Sequence, residues 1–265
     1  MDGIPAGVGR EILFEIIDEH VALVTLNRPE KRNAVNGVLA AALDHVVKAV
    51  ERDDNIRAAI LISSLPNVFC AGADIAEIAA GRASTLSTPD GGFAGLQTAR
   101  RDKPWIAAVR GAALGGGLEL CLACDMIVAA NDAQFGLPEV KRGLFPAAGG
   151  ASRLPRVIPR NIALELLATG GSLPAPRAMA LGLVNRLADA DQVLETARQL
   201  AREISANAPL AVRESLKIAR IAAENSELDL RQMSRAAADR VFVSQDAKEG
   251  TAAFLEKRKP NWSGR

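Results

Sequence analysis

The chain has no tyrosine, two tryptophans, seven phenylalanines and two histidines. So few rings leave no row of stacking platforms for a single-stranded nucleic acid. Formal net charge is +1, so no basic stripe points to a nucleic-acid partner either. His20 falls in an expected turn and His45 on an expected helix. A surface or boundary place suits each better than catalysis. Cysteine is scarce as well. Cys70, Cys121 and Cys124 are an odd number without framework spacing, which excludes a disulfide scaffold. Cys121 and Cys124 form a lone CxxC in an apolar stretch, with no second pair and no nearby histidine. They read as buried small residues, and no metal-ligand spacing is visible. Apolar runs break well before the roughly 20 residues that span a bilayer. The opening MDGIPAGVGR has an early acid and no apolar core of a signal peptide. Together these absences suit a reducing cytoplasm, with no membrane partner.

What is present is ordinary for a globular enzyme: 49% apolar and 24% charged residues over 265 positions. The informative stretch is 105–146. A short apolar strand, 105–109, runs into a turn holding Gly111 and the run Gly115-Gly116-Gly117. A helix is expected from Leu118 to about Ala123, then a second strand over 126–130. Glu119 lies on that helix and Glu139 follows Gly136-Leu137-Pro138. A carboxylate among Leu, Cys and Ala is costly to bury unless paired, hydrogen-bonded or protonated. Alone, each could cap a helix or salt-bridge a neighbour. Together they suggest a pair whose pKa values are pushed apart, one acid and one base. The triple glycine lets backbone approach a ligand, with free N–H groups at a helix start. It fits neither GxxxxGK[ST] nor GxGxxG. An oxyanion site is the better reading than a phosphate loop.

Around this stretch the patterns are regular. Residues 12–17 and 21–26 read as a hairpin about Asp18-Glu19-His20. Residues 36–51 have helical apolar spacing with Asn36 as N-cap. A buried strand is expected at 58–62 and a short helix at 74–80, with Asp74 suited to its N-cap. Residues 81–92, GRASTLSTPDGG, read as a mobile loop near the site. From about 150 the pattern is mostly helical: 150–157, 160–168, 175–181, 191–206, 210–223, 228–243 and 246–257. A short edge strand is expected at 183–187.

FCAGADI (69–75), KPWIAAVRGAALGGGLEL (103–120), CDMIVAANDAQFGLPEVKRGLFP (124–146) and FLEKR (254–258) resemble the enoyl-CoA hydratase, or crotonase, family. The resemblance covers essentially the whole chain. It implies an α/β fold, a ClpP-like spiral of ββα units, over residues 1–200. A helical C-terminal oligomerisation region would occupy 201–265. It implies a homotrimer, often paired into a hexamer, and an acyl-CoA thioester substrate without a separate cofactor or metal. By motif, the N–H groups of Ala73 and Gly116 would form the oxyanion hole. Glu119 and Glu139 would hold a water between them. CoA would lie against Arg28, Lys31, Arg32, Ala34, Ala71, Asp74 and Ile75, with Phe254 and Lys257 of the C-terminal segment. The implied activity is hydration of a 2-trans-enoyl-CoA to a 3-hydroxyacyl-CoA. Two positions depart from the pattern. Ala76 replaces a common lysine after ADI, which weakens a CoA phosphate contact. Ala147 replaces a glycine or aspartate, and lack of the aspartate speaks against dienoyl-CoA isomerase chemistry. Residues 149–170 and the tail 249–265 also resemble the carnitinyl-CoA dehydratase subgroup. A quaternary ammonium usually wants an aromatic or acidic cage, so the lack of tyrosine places that reading second. A non-catalytic acyl-CoA-binding role comes third.

Overall fold

The structure is a computed structural model that describes residues 9–265. The signal-peptide reading rests mostly on residues 1–8, outside the described residues. The chain opens with strands β1 (Ile12–Ile17) and β2 (Val21–Leu26), paired antiparallel, and helix α1 (Gly37–Arg52). Three units of similar design follow: β3 (Ala58–Ser63), β4 (Val68–Cys70) and α2 (Ile75–Ala79); then β5 (Ser87–Thr88), β6 (Gly92–Phe93), β7 (Trp105–Val109), β8 (Ala112–Leu114) and α3 (Gly116–Ala123); then β9 (Met126–Ala130), β10 (Gln134–Gly136) and α4 (Gly150–Val157). Helix α5 (Arg160–Thr169), β11 (Ser172–Pro174), α6 (Ala175–Ala180) and β12 (Arg186–Ala188) lead into α7 (Val193–Ser205), α8 (Pro209–Ile221), α9 (Glu227–Phe242) and α10 (Gln245–Glu256).

Two sheets explain the repetition. The larger runs β1-β2-β3-β7-β9-β12, and the smaller runs β11-β10-β8-β4. In each unit one strand lies in the larger sheet, the next in the smaller, and a helix follows; β5 and β6 of the second unit pair only with each other. Within the larger sheet β3, β7 and β9 are parallel neighbours; within the smaller, β4, β8 and β10 are. The chain therefore advances one strand in both sheets per unit, which is a spiral.

Strand sequences follow from this. All six residues of β3 and all five of β7 are buried, so AAILIS and WIAAV show no alternation, as parallel strands covered on both faces do. Helix α7 packs across β2, β3, β7, β9 and β12 with Val193, Ala197 and Ala201 buried. The small alanines let its backbone approach the sheet. Helix α1 begins where expected: the Asn36 carboxamide oxygen accepts the Leu39 N–H at 2.8 Å. The hairpin turn puts Asp18 and Glu19 at φ 48 and 65, and Arg198 of α7 clamps the Asp18 carboxylate through two 2.9 Å bonds.

Two expectations need correction. Residues 81–92 are not a featureless loop. They hold a 3₁₀ turn at Ala83–Leu86, strand β5 and the start of β6, with Lys48 of α1 bonded to Asp90 at 2.8 Å. The edge strand expected at 183–187 lies at Arg186–Ala188. Leu183 and Val184 are buried ahead of it, with their N–H groups bonded to the Ala178 carbonyl and not to a strand. Among the described residues no helix is long and apolar enough to cross a membrane.

Candidate active site

The site forms where the smaller sheet ends. β8 stops at Leu114, and Gly115 turns the chain into α3 with φ 56 and ψ −127. That conformation excludes a side chain on steric grounds. So does its neighbour: a Cβ there would stand 2.9 Å from Oε1 of Glu139. A Cβ on Gly116 would meet the Phe93 ring at 2.5 Å, and one on Gly117 the Cys70 carbonyl at 2.2 Å. The triple glycine thus lets β4, the Phe93 loop and Glu139 all close on one helix start.

Glu119 lies in the first turn of α3 and is only 3% exposed. Its Oε1 accepts the N–H of Gly150 at 2.8 Å. That N–H is the first of α4, one of the donors a helix leaves unused at its start. Gly149, at φ 102, turns the chain so that it points there. Burial raises the Glu119 carboxyl to about 7; the Gly150 N–H opposes this and the nearby Glu139 adds to it. Glu139 sits at the start of the 3₁₀ turn Pro138–Arg142. Burial raises its carboxyl too, and the Arg142 charge works the other way. Its Oε2 is buried without a hydrogen-bond partner among the described residues. A buried acceptor without a protein partner is uncommon, and water or a ligand can supply the missing donor.

Both glutamates line one cavity of about 630 Å³, inside the usual range for a ligand site. Its walls are mostly apolar: Ile78, Leu86, Phe93, Leu144, Phe145 and several alanines. Ala73 and Gly116 line it as well, and a Cβ on Gly116 would be 3.3 Å from the Ala73 nitrogen. The parallel bridge between Val35 and Ala73 uses the Gly72 carbonyl and the Asp74 N–H, which leaves the Ala73 N–H over. Among the described residues neither the Ala73 nor the Gly116 N–H has an acceptor.

Of the residues expected at CoA, Arg32, Ala34, Ala71, Asp74 and Ile75 line the cavity; Arg28, Lys31, Phe254 and Lys257 do not. Arg28 is committed elsewhere. Its Nη1 donates to Asp74 Oδ2 at 2.7 Å and to the Ala34 carbonyl at 2.8 Å, which ties two cavity loops together. Asp74 also accepts the Ala76 N–H at 3.0 Å as the N-cap of α2. Arg28 holds its carboxyl below the usual carboxylate value. Phe254 is 83% exposed and Lys257 ends α10 at φ 54, both away from this chain's cavity. Ala76 and Ala147, the two departures, do line it. The sequence reading missed Gly150 as the donor to Glu119, and Phe93 as a wall. The GG pair at 149–150, flanked by a helical pattern, is the one signal that could have found the first.

No His, Cys, Asp or Glu cluster of metal-binding size occurs among the described residues. Cys70 and Cys121 are buried free thiols, and burial pushes both far up, Cys70 to about 12.

Comparison with known proteins agrees with this architecture. The sequence model of the enoyl-CoA hydratase/isomerase family matches residues 17–265. A carnitinyl-CoA dehydratase of Proteus mirabilis is 39% identical over 247 residues, 91% of this chain and 94% of its own. The crystal structure of an enoyl-CoA hydratase from Mycobacterium tuberculosis H37Rv superposes with a TM-score of 0.92 at 42% identity, covering 97% of this chain and 100% of that one. The carnitinyl-CoA hydratase structure from Mycobacterium avium gives 0.76 at 41% identity, with 97% and 100% covered. With residues 17–265 matched in sequence and its two-sheet spiral matched in space, the chain belongs to the enoyl-CoA hydratase/isomerase, or crotonase, family.

Proposed function

We propose that the protein is an enoyl-CoA hydratase, adding water reversibly across the α,β double bond of a 2-trans-enoyl-CoA. The observation that carries this reading is a buried Glu119 and a half-buried Glu139 with an open acceptor, in the same cavity as two unpartnered N–H groups. The N–H groups of Ala73 and Gly116 would bind the thioester carbonyl oxygen, where negative charge grows as the β-carbon is attacked. Each such donor is worth roughly 2.7–4 kcal/mol in a barrier. Water held between Glu119 and Glu139 adds its oxygen to the β-carbon. One carboxylate takes the water's proton, and the other carboxyl delivers a proton to the α-carbon. Raised values suit both steps: burial holds Glu119 at about 7 and pushes Glu139 up from its ordinary value, so each carboxyl takes and gives up a proton more readily at working pH. Arg32, Asp74 and Ile75 at the cavity wall would receive the CoA moiety.

We also propose a homotrimer or a dimer of trimers. Phe254 and Lys257 lie away from their own chain's cavity, on a helix whose Phe254 and Leu255 are exposed, so a second copy would bring them to a site. Sedimentation of the purified protein measures this directly.

A dehydratase acting on carnitinyl-CoA is the second reading, favoured by the Proteus relative and by residues 149–170. The aromatic rings at the cavity are Phe93 and Phe145, a thin cage for a quaternary ammonium. The test is loss of crotonyl-CoA absorbance on adding the protein, with Glu119→Gln beside it. Loss with the wild type alone supports hydration through Glu119. No loss with crotonyl-CoA, but turnover of crotonobetainyl-CoA, would replace the first reading by the second.

A further inference from the structure

Strand β4 lies at the end of the smaller sheet, so one of its edges has no strand beside it. The segment 28–35 fills that edge. The Ala71 N–H donates to the Arg32 carbonyl at 3.0 Å, the Val35 N–H to the Gly72 carbonyl at 2.8 Å, and the Asp74 N–H to the Val35 carbonyl at 2.9 Å. At Phe69 the partner is a side chain instead. Asn33 is fully buried with φ 56, a left-handed conformation that asparagine tolerates better than most residues. Its Nδ2 donates to the Phe69 carbonyl at 2.9 Å and to Ser63 Oγ, at the end of β3, at 2.7 Å. Its Oδ1 accepts the Arg28 N–H at 2.8 Å, which closes the segment on itself. Its backbone carbonyl accepts the Cys70 thiol at 3.1 Å. One carboxamide thus joins β3 of the larger sheet, β4 of the smaller and the 28–35 segment, with both of its donors spent away from water.

We propose that Asn33 is a positioning residue for the reaction: its carboxamide locks the 28–35 segment against β3 and β4, and through Val35 it sets the place of the Ala73 N–H beside Gly116. This deepens the hydratase reading and rests on its oxyanion hole. The bonds of Val35 take up the Gly72 carbonyl and the Asp74 N–H, so they hold Ala73 from both sides and leave its own N–H over. Gly72, at φ 96, seats the bend on the turn before α3: a Cβ there would stand 2.9 Å from the Gly116 nitrogen and from the Leu114 carbonyl. Asn33 does not line the cavity, so it reaches the substrate only through these neighbours. Without its carboxamide the Arg28 N–H and the Phe69 carbonyl lose their partner, and the segment that carries Val35 is free to shift. A donor misplaced by about 1 Å costs on the order of a hundredfold in rate.

The test is the absorbance of 4-(dimethylamino)cinnamoyl-CoA under saturating protein. Its conjugated thioester absorbs further to the red as hydrogen bonds polarise the carbonyl, and at saturation the shift does not depend on affinity. Asn33→Gly keeps the left-handed backbone and removes the carboxamide. Ser63→Ala removes one of the carboxamide's partners, and serves should the glycine variant not fold. Val50→Ala, on the buried face of α1, controls for lost stability alone. The red shift of the wild type should fall by about half in Asn33→Gly, one of two donors being displaced, fall less in Ser63→Ala, and stay whole in Val50→Ala. The kcat on crotonyl-CoA should fall about a hundredfold in Asn33→Gly and hold in Val50→Ala. A whole shift in Asn33→Gly, or in Ser63→Ala where the glycine variant does not fold, overturns the proposal, as does an equal loss in Val50→Ala. A wild type without any red shift refutes the oxyanion hole and this proposal with it. A wild type that shifts the probe but does not hydrate crotonyl-CoA refutes the hydratase reading alone.

Discussion

Replacing Glu119 by glutamine should make the fold more stable at alkaline pH while removing the chemistry. The carboxyl titrates near 4.5 in an unfolded chain and about 7 in the fold, chiefly through burial. A raised value means the folded state binds the proton more tightly. Stability is therefore highest below about 4.5 and is lost as pH rises toward 7, because the unfolded chain releases its proton first. At about 1.36 kcal/mol per unit, this group alone costs the wild type about 2.5 kcal/mol between pH 5 and pH 8. Glutamine cannot titrate, and its carbonyl still accepts the Gly150 N–H. Urea unfolding followed by the fluorescence of Trp105, in a Trp262→Phe background, at pH 5 and pH 8, measures the difference. Trp105 is fully buried, so its emission reports loss of the sheet. All other titrating groups are common to both proteins, so the pH effect in the wild type minus that in the variant isolates Glu119. A variant whose stability falls with pH as steeply as the wild type's would refute the reasoning: the carboxyl would then be hydrated, not desolvated.

Other consequences are open to test. Glu139→Gln should lower hydratase turnover by at least about a hundredfold with CoA-ester binding nearly unchanged; near-wild-type turnover sinks the two-glutamate mechanism. Asp74→Ala removes both a helix cap and the nearest of three carboxylates about the half-buried Arg28, and should cost about 2–3 kcal/mol in urea unfolding. Since Arg28 lowers the Asp74 carboxyl, that contribution is present above its ordinary value of 3.8 and is lost as pH falls below it, so wild type and variant should converge in acid. Gly117→Ala sets a methyl where the Cys70 carbonyl already stands, and should cost roughly 1–3 kcal/mol or more, read as a lowered urea midpoint. Cys70 and Cys121 should resist a thiol reagent until the protein is unfolded, and reaction at the native state's full rate would contradict their burial.

Sequence alone settled whatever depends on near neighbours. The runs at 58–62, 105–109 and 126–130 are apolar throughout because both faces of the sheet are covered, and that is visible without a partner strand. Asn36 and Asp74 each bond an N–H two or three positions on, so their capping could be read locally. The eight longer helices at 37–52 and from 150 onward lie within about two residues of their expected limits, since a 3.6-residue period is a local property. The motifs also drew Glu119, Glu139, Ala73 and Gly116 into one hypothesis. Tertiary structure decided what pairs across long separations. Three-residue strands such as β4, β8 and β10 carry too few positions to show any period, so the smaller sheet was invisible. Gly150 meets Glu119 from 31 positions away, and Arg28 meets Asp74 from 46. No spacing rule encodes either meeting. Arg28, expected at CoA, is bonded to Asp74 in the fold, a partner that no local spacing supplies. Which groups are left with an open bond, and so are free to act on a ligand, is fixed only after every other pairing is made.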